Sequence, residues 1–494
     1  MKRLLVSVEY DRILAINLFF IVDRKQEVKV SGFLEKNVNK KADRFHDSFF
    51  KSAVLFSRWL AIMKWSTNRY QLQDSENVTR KFAWPLNCIL FVVAILIMVT
   101  DVTAAQQEAV QEKTTTEKTS ELPLGIVAEK PESGQFVKVD NGYMVEYTAM
   151  IPGTEIKYTM IPIPGGKFMM GSPEDEDDRR DDEGPQFEVT VKPFWMGKYE
   201  VTWAEYKKYM QLDKVFKALN GKGLRRVNAD NEIDAVTAPS SLYDASFTFS
   251  AGEAPDQPAA TMTQFAAKQY TKWLSLTSKT FYRLPMESEW EYACRAGTTT
   301  AFYFDEDEDD LEDHAWNYEN SDDERHPVGQ LKPNPWGLYD MYGNVAEWVL
   351  DQYHEDGYTH VEEGASVTAE EAYRKPTKLF PRVVRGGSWE LDPEDCRSAA
   401  RLGSDDKEWK IEDPNFPKSP WWYTDTPGLG VGFRLLRPLE APATRDAKGA
   451  FWDADIESIV EDAKNRISDN GRGAYGTVDP DLPKDISELT DADK

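Results

Sequence analysis

Two carboxylates in the second half of the chain have a spacing suited to metal chemistry. Asp340 and Glu347 flank a turn formed by Gly343 and Asn344, whose backbone carbonyls can point towards one centre. Hard cations such as Ca²⁺ bind carboxylate and carbonyl oxygens in irregular loops. The spacing permits a calcium site, and it is equally consistent with a capped turn in which Asn344 is left-handed.

Cysteine usage limits the redox chemistry available to the chain. There are three cysteines, Cys88, Cys294 and Cys396, and five histidines. Three thiols exclude a disulfide-dense scaffold and a four-thiolate zinc site, and they leave room for at most one bridge. Ser388 follows two glycines but lacks the Gly-x-Ser-x-Gly spacing of a nucleophile elbow, so its position favours a role in shaping a pocket.

Three predicted helices position these residues. One begins after Thr202, a second begins after Thr263, which is a good N-cap, and a third follows Pro285 with glutamates in its first turns. Between these helices the chain has short apolar runs, many Trp and Tyr residues, and frequent Gly and Pro. The pattern predicts an α+β fold with much irregular structure.

The charge balance restricts the class of partner. The chain of 494 residues has 59 Lys and Arg against 85 Asp and Glu, a formal net charge of -26. Nucleic-acid binding depends on Lys and Arg facing the phosphates, so nucleic acid is excluded as the expected partner. An aromatic content of 12% and an apolar content of 41% indicate a folded core rather than a disordered polymer.

The first 105 residues are predicted to be a leader. Residues 88–99 are twelve consecutive apolar residues, too few to span a bilayer but typical of a signal peptide. Small residues follow at 102–105, and Met63 is a candidate true start, which would place residues 1–62 outside the protein. We expect an exported, periplasmic or extracellular protein, or a membrane-anchored one if the leader is retained.

The remaining boundaries follow from composition. Residues 106–144 are predicted to be a disordered linker, residues 145–438 the main domain, and residues 439–494 an acidic C-terminal tail with one amphipathic helix at Asp453–Ile467. Residues 213–258, rich in Asn, Asp, Ser and Gly, form a surface insertion in the main domain. The insertion is either a tolerated loop or a determinant of specificity.

Eight motifs occur in order along the main domain. They are Ile163–Ser172, Tyr199–Thr202, Tyr282–Pro285, Glu289–Ala293, Asn334–Trp348, Val384–Trp389, Arg397–Arg401 and Gly432–Arg434. Together they resemble the sulfatase-modifying factor domain of formylglycine-generating enzymes. The resemblance covers about residues 155–438 and implies a variant of the C-type lectin fold with little regular secondary structure.

The resemblance also implies metal ligands. In the family, the motif around Gly343 is a calcium site, with Asp340 and Glu347 binding by side chain and Gly343 and Val345 binding by carbonyl oxygen. A second calcium site of the family corresponds to the stretch that contains Asn317, Tyr318, Asn320 and Asp322.

Family chemistry further implies oxidation of a substrate cysteine by dioxygen at a copper ion that two thiolates hold. Those thiolates lie five residues apart after the Gly-Gly-Ser motif, where this chain has Leu391 and Cys396. One thiolate does not supply a two-coordinate copper site, so the sequence argues against copper. If a catalytic pocket exists, the resemblance places it near Ser388, Cys396 and Arg401.

Cys396 also has a second interpretation. Classical members bridge the position of Cys294 to a cysteine immediately before an Ala-Ala-Arg motif, and in this chain Ser398 occupies that place. The resemblance therefore predicts a Cys294–Cys396 disulfide. A free buried thiol and a catalytic thiolate are the alternatives.

The sequence is consistent with two functions. The chain is either an enzyme that acts on polypeptides, with sulfatases as the family's substrates, or a lectin-like module that binds a peptide or glycan without chemistry. The second alternative uses an aromatic ligand pocket, for which the candidates are Trp389, Trp421, Trp422 and Tyr423. Aromatic residues in such a set are also consistent with core positions.

A membrane is a partner only if the leader is uncleaved, and the sequence does not indicate an oligomeric state.

Overall fold

The computed structural model describes residues 3–10, 14–22, 28–32, 122–240, 245–304, 308–414 and 416–489. The chain divides into two compact units, Met1–Lys118 and Thr119–Lys494. The predicted signal peptide at residues 88–99 lies outside the described residues. Within the described residues, none of the helices has both the length and the apolar character that crossing a membrane requires.

The first unit contains one antiparallel sheet of three strands in the order β1-β2-β3, and the other strands and all the helices described lie in the second unit. The strands are β1 (Arg3–Tyr10), β2 (Leu14–Val22), β3 (Val28–Gly32), β4 (Ile126–Val127), β5 (Phe136–Val139), β6 (Gly142–Val145), β7 (Tyr147–Met150), β8 (Lys157–Ile163), β9 (Gly166–Met170), β10 (Phe187–Val191), β11 (Phe194–Gly197), β12 (Ala235–Ala238), β13 (Ala346–Gln352), β14 (Ser366–Thr368), β15 (Arg382–Arg385), β16 (Arg401–Gly403), β17 (Val431–Gly432), β18 (Leu436–Pro438) and β19 (Ala474–Thr477). The helices are α1 (Trp203–Met210), α2 (Leu212–Gly221), α3 (Ala245–Thr248), α4 (Gln264–Ser278), α5 (Glu287–Arg295), α6 (Ala369–Ala372), α7 (Arg445–Trp452), α8 (Glu457–Asn470) and α9 (Leu482–Ser487).

The second unit is a mixed α and β structure of several small sheets with few long helices. One sheet has the order β16-β15-β13-β17 and another has the order β18-β11-β8-β7. Strand β13 pairs antiparallel with β15 and parallel with β17, so Glu347 lies opposite Arg385 on one side and Gly432 on the other. This pairing brings three of the sequence motifs together, although they are far apart along the chain.

The three helices predicted in the main domain are confirmed as α1, α4 and α5. Thr263 caps α4 because its side-chain oxygen accepts a hydrogen bond from the backbone N–H of Ala266. The aromatic side chains Tyr206, Tyr270 and Trp290 of these helices are buried in the core.

The linker predicted to reach residue 144 ends earlier than expected. Strands β4, β5 and β6 form a three-stranded antiparallel sheet between residues 126 and 145. Asp140 and Asn141 form a two-residue turn before Gly142, which has a positive φ of 140°. A Cβ on Gly142 would lie 2.3 Å from the carbonyl oxygen of Val127, so only glycine allows this close pairing. The turn residues Asp140 and Asn141 between two short apolar runs are the signal that the composition obscured.

The expected tail is also folded onto the main domain. Trp452 at the end of α7 is buried, packs against Phe281 at 5.0 Å, and donates a hydrogen bond to the carbonyl oxygen of Tyr282. The predicted amphipathic helix is present as α8. Strand β19 pairs antiparallel with β12, which belongs to the predicted insertion.

The insertion and the tail therefore fold together. Helix α2 buries Val215, Phe216 and Leu219 and packs against β19. Arg225 of the insertion pairs with Asp485 of the tail at 2.6 Å. The insertion is thus a packed element of the domain rather than a free surface loop.

Candidate functional site

The chain turns sharply after β15 and passes over Cys396. Gly386 and Gly387 both have positive φ, at 96° and 70°. A Cβ on Gly387 would lie 2.5 Å from the sulfur of Cys396, so this position requires glycine. The turn places Ser388 in a buried position directly after the two glycines.

Cys396 is a fully buried thiol. Its sulfur lies 3.9 Å from the carbonyl oxygen of Asp392, and burial raises its pKa well above the usual value for a thiol. A buried thiol in such surroundings stays protonated at neutral pH, whereas nucleophiles and metal ligands are thiolates. Cys396 therefore has the properties of a structural cysteine.

Cys294 faces a different partner from the predicted one. Its sulfur lies 3.9 Å from the hydroxyl oxygen of Ser398 and 3.9 Å from the carbonyl oxygen of Met341, and burial raises its pKa to about 12. Both Cys294 and Cys396 are free thiols in the structure. The predicted disulfide is wrong here because the side chain of Cys294 points to Ser398, the position that the family pattern pairs with it.

The donor set does not fit copper. Leu391 occupies one of the two ligand positions, and its backbone carbonyl accepts a hydrogen bond from Tyr318 N–H. In the part of the chain that the structure describes, the two cysteines are Cys294 and Cys396, and they contact different groups. A cuprous ion needs two thiolates at one point, and these residues do not supply them.

The side chains of Ser388 and Glu390 each have an oxygen atom without a hydrogen-bond partner among the described residues. A Cβ on Gly430 would lie 2.7 Å from Oε1 of Glu390 and 2.8 Å from Oγ of Ser388, so both atoms crowd the same backbone position. Neither atom has a hydrogen-bond partner within the described structure, and both are buried. Burial raises the pKa of Glu390 to about 7.

A buried guanidinium lies against the same loop. Arg325 is 1% exposed and donates hydrogen bonds to the carbonyl oxygens of Leu429, Thr248 and Gly252 at 3.1, 2.9 and 2.7 Å. Burial lowers its pKa to about 10, and Glu390 is the charge that opposes this shift. Across the described residues, its Nε–H has no acceptor.

We refer to Arg325, Ser388 and Glu390 as the polar cluster. It contains one unused N–H donor, one unused hydroxyl and one unused carboxylate oxygen around the loop Leu429–Gly430. Buried polar atoms without partners cost about 1–3 kcal/mol each, so a water molecule or a ligand group is expected to pair with them. Arg325 and Glu390 were not identified from the sequence, because no local pattern connects positions so far apart.

Trp389 lies between two members of this cluster, Ser388 and Glu390, in the sequence. Its backbone N–H donates to the carbonyl oxygen of Asn344 at 3.0 Å, and its own carbonyl accepts from the hydroxyl of Ser321 at 2.8 Å. The side chain is half-buried. Of the predicted ligand-pocket residues, Trp389 is the one that lies beside the cluster in sequence and remains partly exposed.

Trp421, Trp422 and Tyr423 belong to the core instead. All three are buried, and their polar atoms bond to Thr237 Oγ1, the carbonyl oxygen of Ser240 and Asp406 Oδ1. The predicted aromatic groove is therefore wrong for these residues, since the same aromatic pattern serves core packing.

Arg401 is a structural cation. Its guanidinium binds both carboxylate oxygens of Glu287, at 2.6 and 3.0 Å, and the carbonyl oxygen of Asp182 at 2.7 Å. Glu287 also accepts from Arg385 at 3.0 Å. Arg401 thus has its donors occupied within the core, and its expected place in a pocket is a further correction.

The predicted calcium carboxylates surround an arginine. Both oxygens of Glu347 accept from Arg434 Nε, at 2.7 and 2.6 Å, and Glu347 Oε2 accepts from Trp290 Nε1 at 2.7 Å. Asp340 Oδ2 accepts from the N–H of Gly329 at 2.7 Å, and burial raises the pKa of Asp340 to about 6. Arg434 is therefore the cation that neutralises Glu347 in this structure.

The turn between these carboxylates matches the capped-turn alternative. Asn344 is left-handed, with φ of 55°, and its side-chain oxygen accepts from the N–H of His326. The N–H of Gly343 donates to the carbonyl oxygen of Gly386, and the N–H of Val345 donates to Glu200 at 3.0 Å. Among the described residues, no group of three His, Cys, Asp or Glu side chains is arranged to hold a metal ion. The side chains of Asp340 and Glu347 are thus engaged with protein groups, and the calcium site stays a prediction.

The second predicted calcium stretch forms a turn of its own. Asn317 Oδ1 accepts from the N–H of Glu319, and Asn320 Oδ1 accepts from the N–H of Asn317. Tyr318 and Asp322 are exposed. The two amide oxygens are therefore engaged with backbone groups, and the second calcium site stays a prediction.

The comparisons with known proteins agree with the sequence motifs. The model of the sulfatase-modifying factor enzyme 1-like domain matches residues 148–412. An inactive C-alpha-formylglycine-generating enzyme 2 of Bos taurus is 30% identical over 306 residues, a match that covers 55% of this chain and 87% of that protein. A formylglycine-generating enzyme of Mus musculus is 28% identical over 276 residues, covering 49% of this chain and 70% of that protein.

Two further proteins are similar to this chain only in part or at a low structural score. A serine/threonine-protein kinase pkn1 of Chlamydia caviae is 31% identical over 244 residues, covering 49% of this chain but 35% of that protein, so the chain spans about a third of its length. The structure of PvdO from Pseudomonas aeruginosa has 30% sequence identity and a TM-score of 0.41, covering 59% of this chain and 98% of that one. The family model matches more than half of the chain, and the chain belongs to the sulfatase-modifying factor (formylglycine-generating enzyme) family.

Proposed function

We propose that this chain is a polypeptide-binding member of its family that does not oxidise cysteine. The observation that carries the proposal is the state of the two described cysteines. Cys396 is a buried thiol against Asp392, and Cys294 faces Ser398, so the two thiols do not form one site. In addition, this chain is about as similar to a relative named as inactive, at 30% identity, as to one named as an enzyme, at 28% identity.

The polar cluster supports peptide binding. An amide group offers one N–H and one carbonyl oxygen, and the cluster offers one unused donor on Arg325 and unused acceptors on Ser388 and Glu390. An extended peptide that approaches past the half-buried Trp389 would satisfy both kinds of atom. The side chains must shift to admit it, because these atoms are buried in the free protein.

A glycan is the alternative ligand, and the argument for it depended on exposed aromatic residues. Sugar rings stack on exposed aromatic faces, and Trp421, Trp422 and Tyr423 are core residues. We therefore favour a polypeptide, with sulfatase-type peptides as the first class to test. We further propose a C-type-lectin-like arrangement of the main domain, and an exported protein on the evidence of the leader sequence.

A binding assay with chemical analysis tests the proposal. The protein is mixed with two synthetic peptides, one with the sulfatase-type cysteine and one with serine in its place, and binding is measured by calorimetry with and without copper(I). We expect equal affinity for both peptides and no change in peptide mass.

Two variants localise the binding. Glu390→Ala removes an acceptor of the polar cluster and should weaken peptide binding at least about tenfold. A tenfold change in Kd corresponds to about 1.4 kcal/mol of binding free energy. Asp392→Ala removes an exposed carboxylate two residues away and should leave the affinity unchanged. Equal affinities for both variants, or the absence of peptide binding, would overturn the proposal.

A further inference from the structure

A second candidate site is a cavity beside the start of α1. A cavity of about 410 Å³ is lined by strand β8, the end of β11, the start of α1 and the loop at Pro255 and Asp256. Lys157, Pro255 and Asp256 are exposed at its margin, so the cavity opens to solvent there. Its volume is within the range of small-molecule pockets, roughly 300–1,000 Å³.

The wall of this cavity contains a buried carboxylate without a cation. Glu205 is 6% exposed, and its Oε1 accepts from the N–H and the hydroxyl of Thr202 at 3.2 and 3.0 Å. In the described structure, its Oε2 accepts no hydrogen bond, and no basic side chain pairs with it. The nearby Lys207 of α1 instead pairs with Glu253 at 2.9 Å.

The other walls suit an organic cation rather than a metal ion. Tyr158 and Tyr199 line the cavity, and the faces of aromatic rings attract ammonium groups. Glu200 adds a second carboxyl, although its oxygens already accept from the side chain of Asn344 and the N–H of Val345. A bare divalent ion requires six or more close oxygens, and a cavity of this size leaves most of that shell empty.

We propose that this cavity binds a primary ammonium group on an alkyl chain, with Glu205 as its counter-ion. The alkyl part lies along the apolar wall, which includes Ile156, Val201 and Leu435, and the ammonium reaches Glu205 Oε2. Such a group occurs in the lysine side chain of a polypeptide and in free diamines. Glu205 is not a member of the polar cluster, and this proposal does not depend on the function proposed for that cluster.

The test uses two amine probes and one neutral control. Nα-acetyl-lysine-N-methylamide represents the polypeptide source, putrescine represents the free amine, and the Nε-acetylated lysine derivative removes the charge. We expect saturable binding of at least one amine and at least about tenfold weaker binding of the acetylated compound. A preference for the lysine derivative identifies a polypeptide, and a preference for putrescine identifies a free amine.

A matched pair of variants assigns the effect to the cavity. Glu205→Gln removes the charge but keeps an oxygen for the capping box with Thr202, so the helix should still form. Glu371→Gln makes the same change in the capping box of α6, which lies outside the cavity. We expect Glu205→Gln to weaken amine binding at least about tenfold and Glu371→Gln to leave it unchanged. The proposal is overturned if neither amine binds, or if Glu205→Gln binds as the wild type does.

Discussion

The sulfur of Cys294 lies 3.9 Å from the hydroxyl oxygen of Ser398. The chain between these two residues includes the turn at Gly343 and Asn344 and the whole of strand β13. A thiol at position 398 would complete the bridge that the family pattern implies. The same hydroxyl also bonds to the hydroxyl of Tyr342 at 2.7 Å.

Ser398→Cys should therefore form a disulfide between Cys294 and the introduced thiol under oxidising conditions. Cross-linking a loop of about 100 residues adds on the order of 4 kcal/mol in the chain-entropy model, and loss of the bond to Tyr342 removes about 1 kcal/mol. The measurement is non-reducing peptide mapping with denaturant unfolding. The double variant Cys294→Ser with Ser398→Cys is the control and should lack the gain. A variant that keeps both thiols free in air would contradict this geometry.

The pH dependence of stability should report the buried carboxyl of Glu390. Its pKa is raised from 4.5 to about 7 by burial, so between these values the folded state binds more protons than the unfolded state. Its contribution to stability is complete below about pH 4.5 and is lost as the pH rises through about 7. Relative to Glu390→Gln, the wild type should lose at most about 3 kcal/mol of unfolding free energy between pH 5 and 8. A constant difference between the two proteins would show that Glu390 is solvated.

The folded C-terminal segment should contribute strongly to stability. Trp452 is buried against Phe281 and bonds to Tyr282, so Trp452→Ala should cost about 3–5 kcal/mol. Phe416 is 95% exposed, and Phe416→Ala should change stability by no more than about 0.5 kcal/mol. Chemical denaturation of both variants checks this. A small effect of Trp452→Ala would mean that the tail is detached in solution.

Calcium removal should not affect folding, because Arg434 already neutralises Glu347. We expect an unchanged melting temperature in EDTA. Arg434→Met leaves Glu347 buried without its cation and should cost about 3–5 kcal/mol. The contradicting result is a calcium-dependent rise in melting temperature that Glu347→Gln abolishes.

The features that were predictable from the sequence are those set by local chemistry. The helix after Thr263 was predictable because a cap and its helix are neighbours in the chain, and the family motifs identify the domain. The pairing of Arg225 with Asp485 was not, because it joins an insertion to a tail that each appear polar and irregular. Composition alone therefore placed both segments outside the packed structure.

The candidate site was predictable only in part, for the same reason. Ser388 was singled out by its Gly-Gly motif, whereas Arg325 and Glu390 come together only through the loop at Leu429 and Gly430. The aromatic residues led to a wrong prediction, since exposed and buried aromatic runs have the same composition. The structure distinguishes them: Trp389 is half-buried, whereas Trp421, Trp422 and Tyr423 are buried.

The decisive measurement is the mass of a cysteine-containing sulfatase-type peptide after incubation with the protein, copper(I), a reductant and dioxygen. We expect the peptide to bind and to keep its mass, both with the wild type and with Leu391→Cys, because Cys396 stays buried and protonated. Conversion of the peptide cysteine to formylglycine by the wild type would show that the protein is an oxidase and would overturn the proposed function. Conversion by Leu391→Cys alone would show that Cys396 is accessible and that one substitution separates this chain from an oxidase.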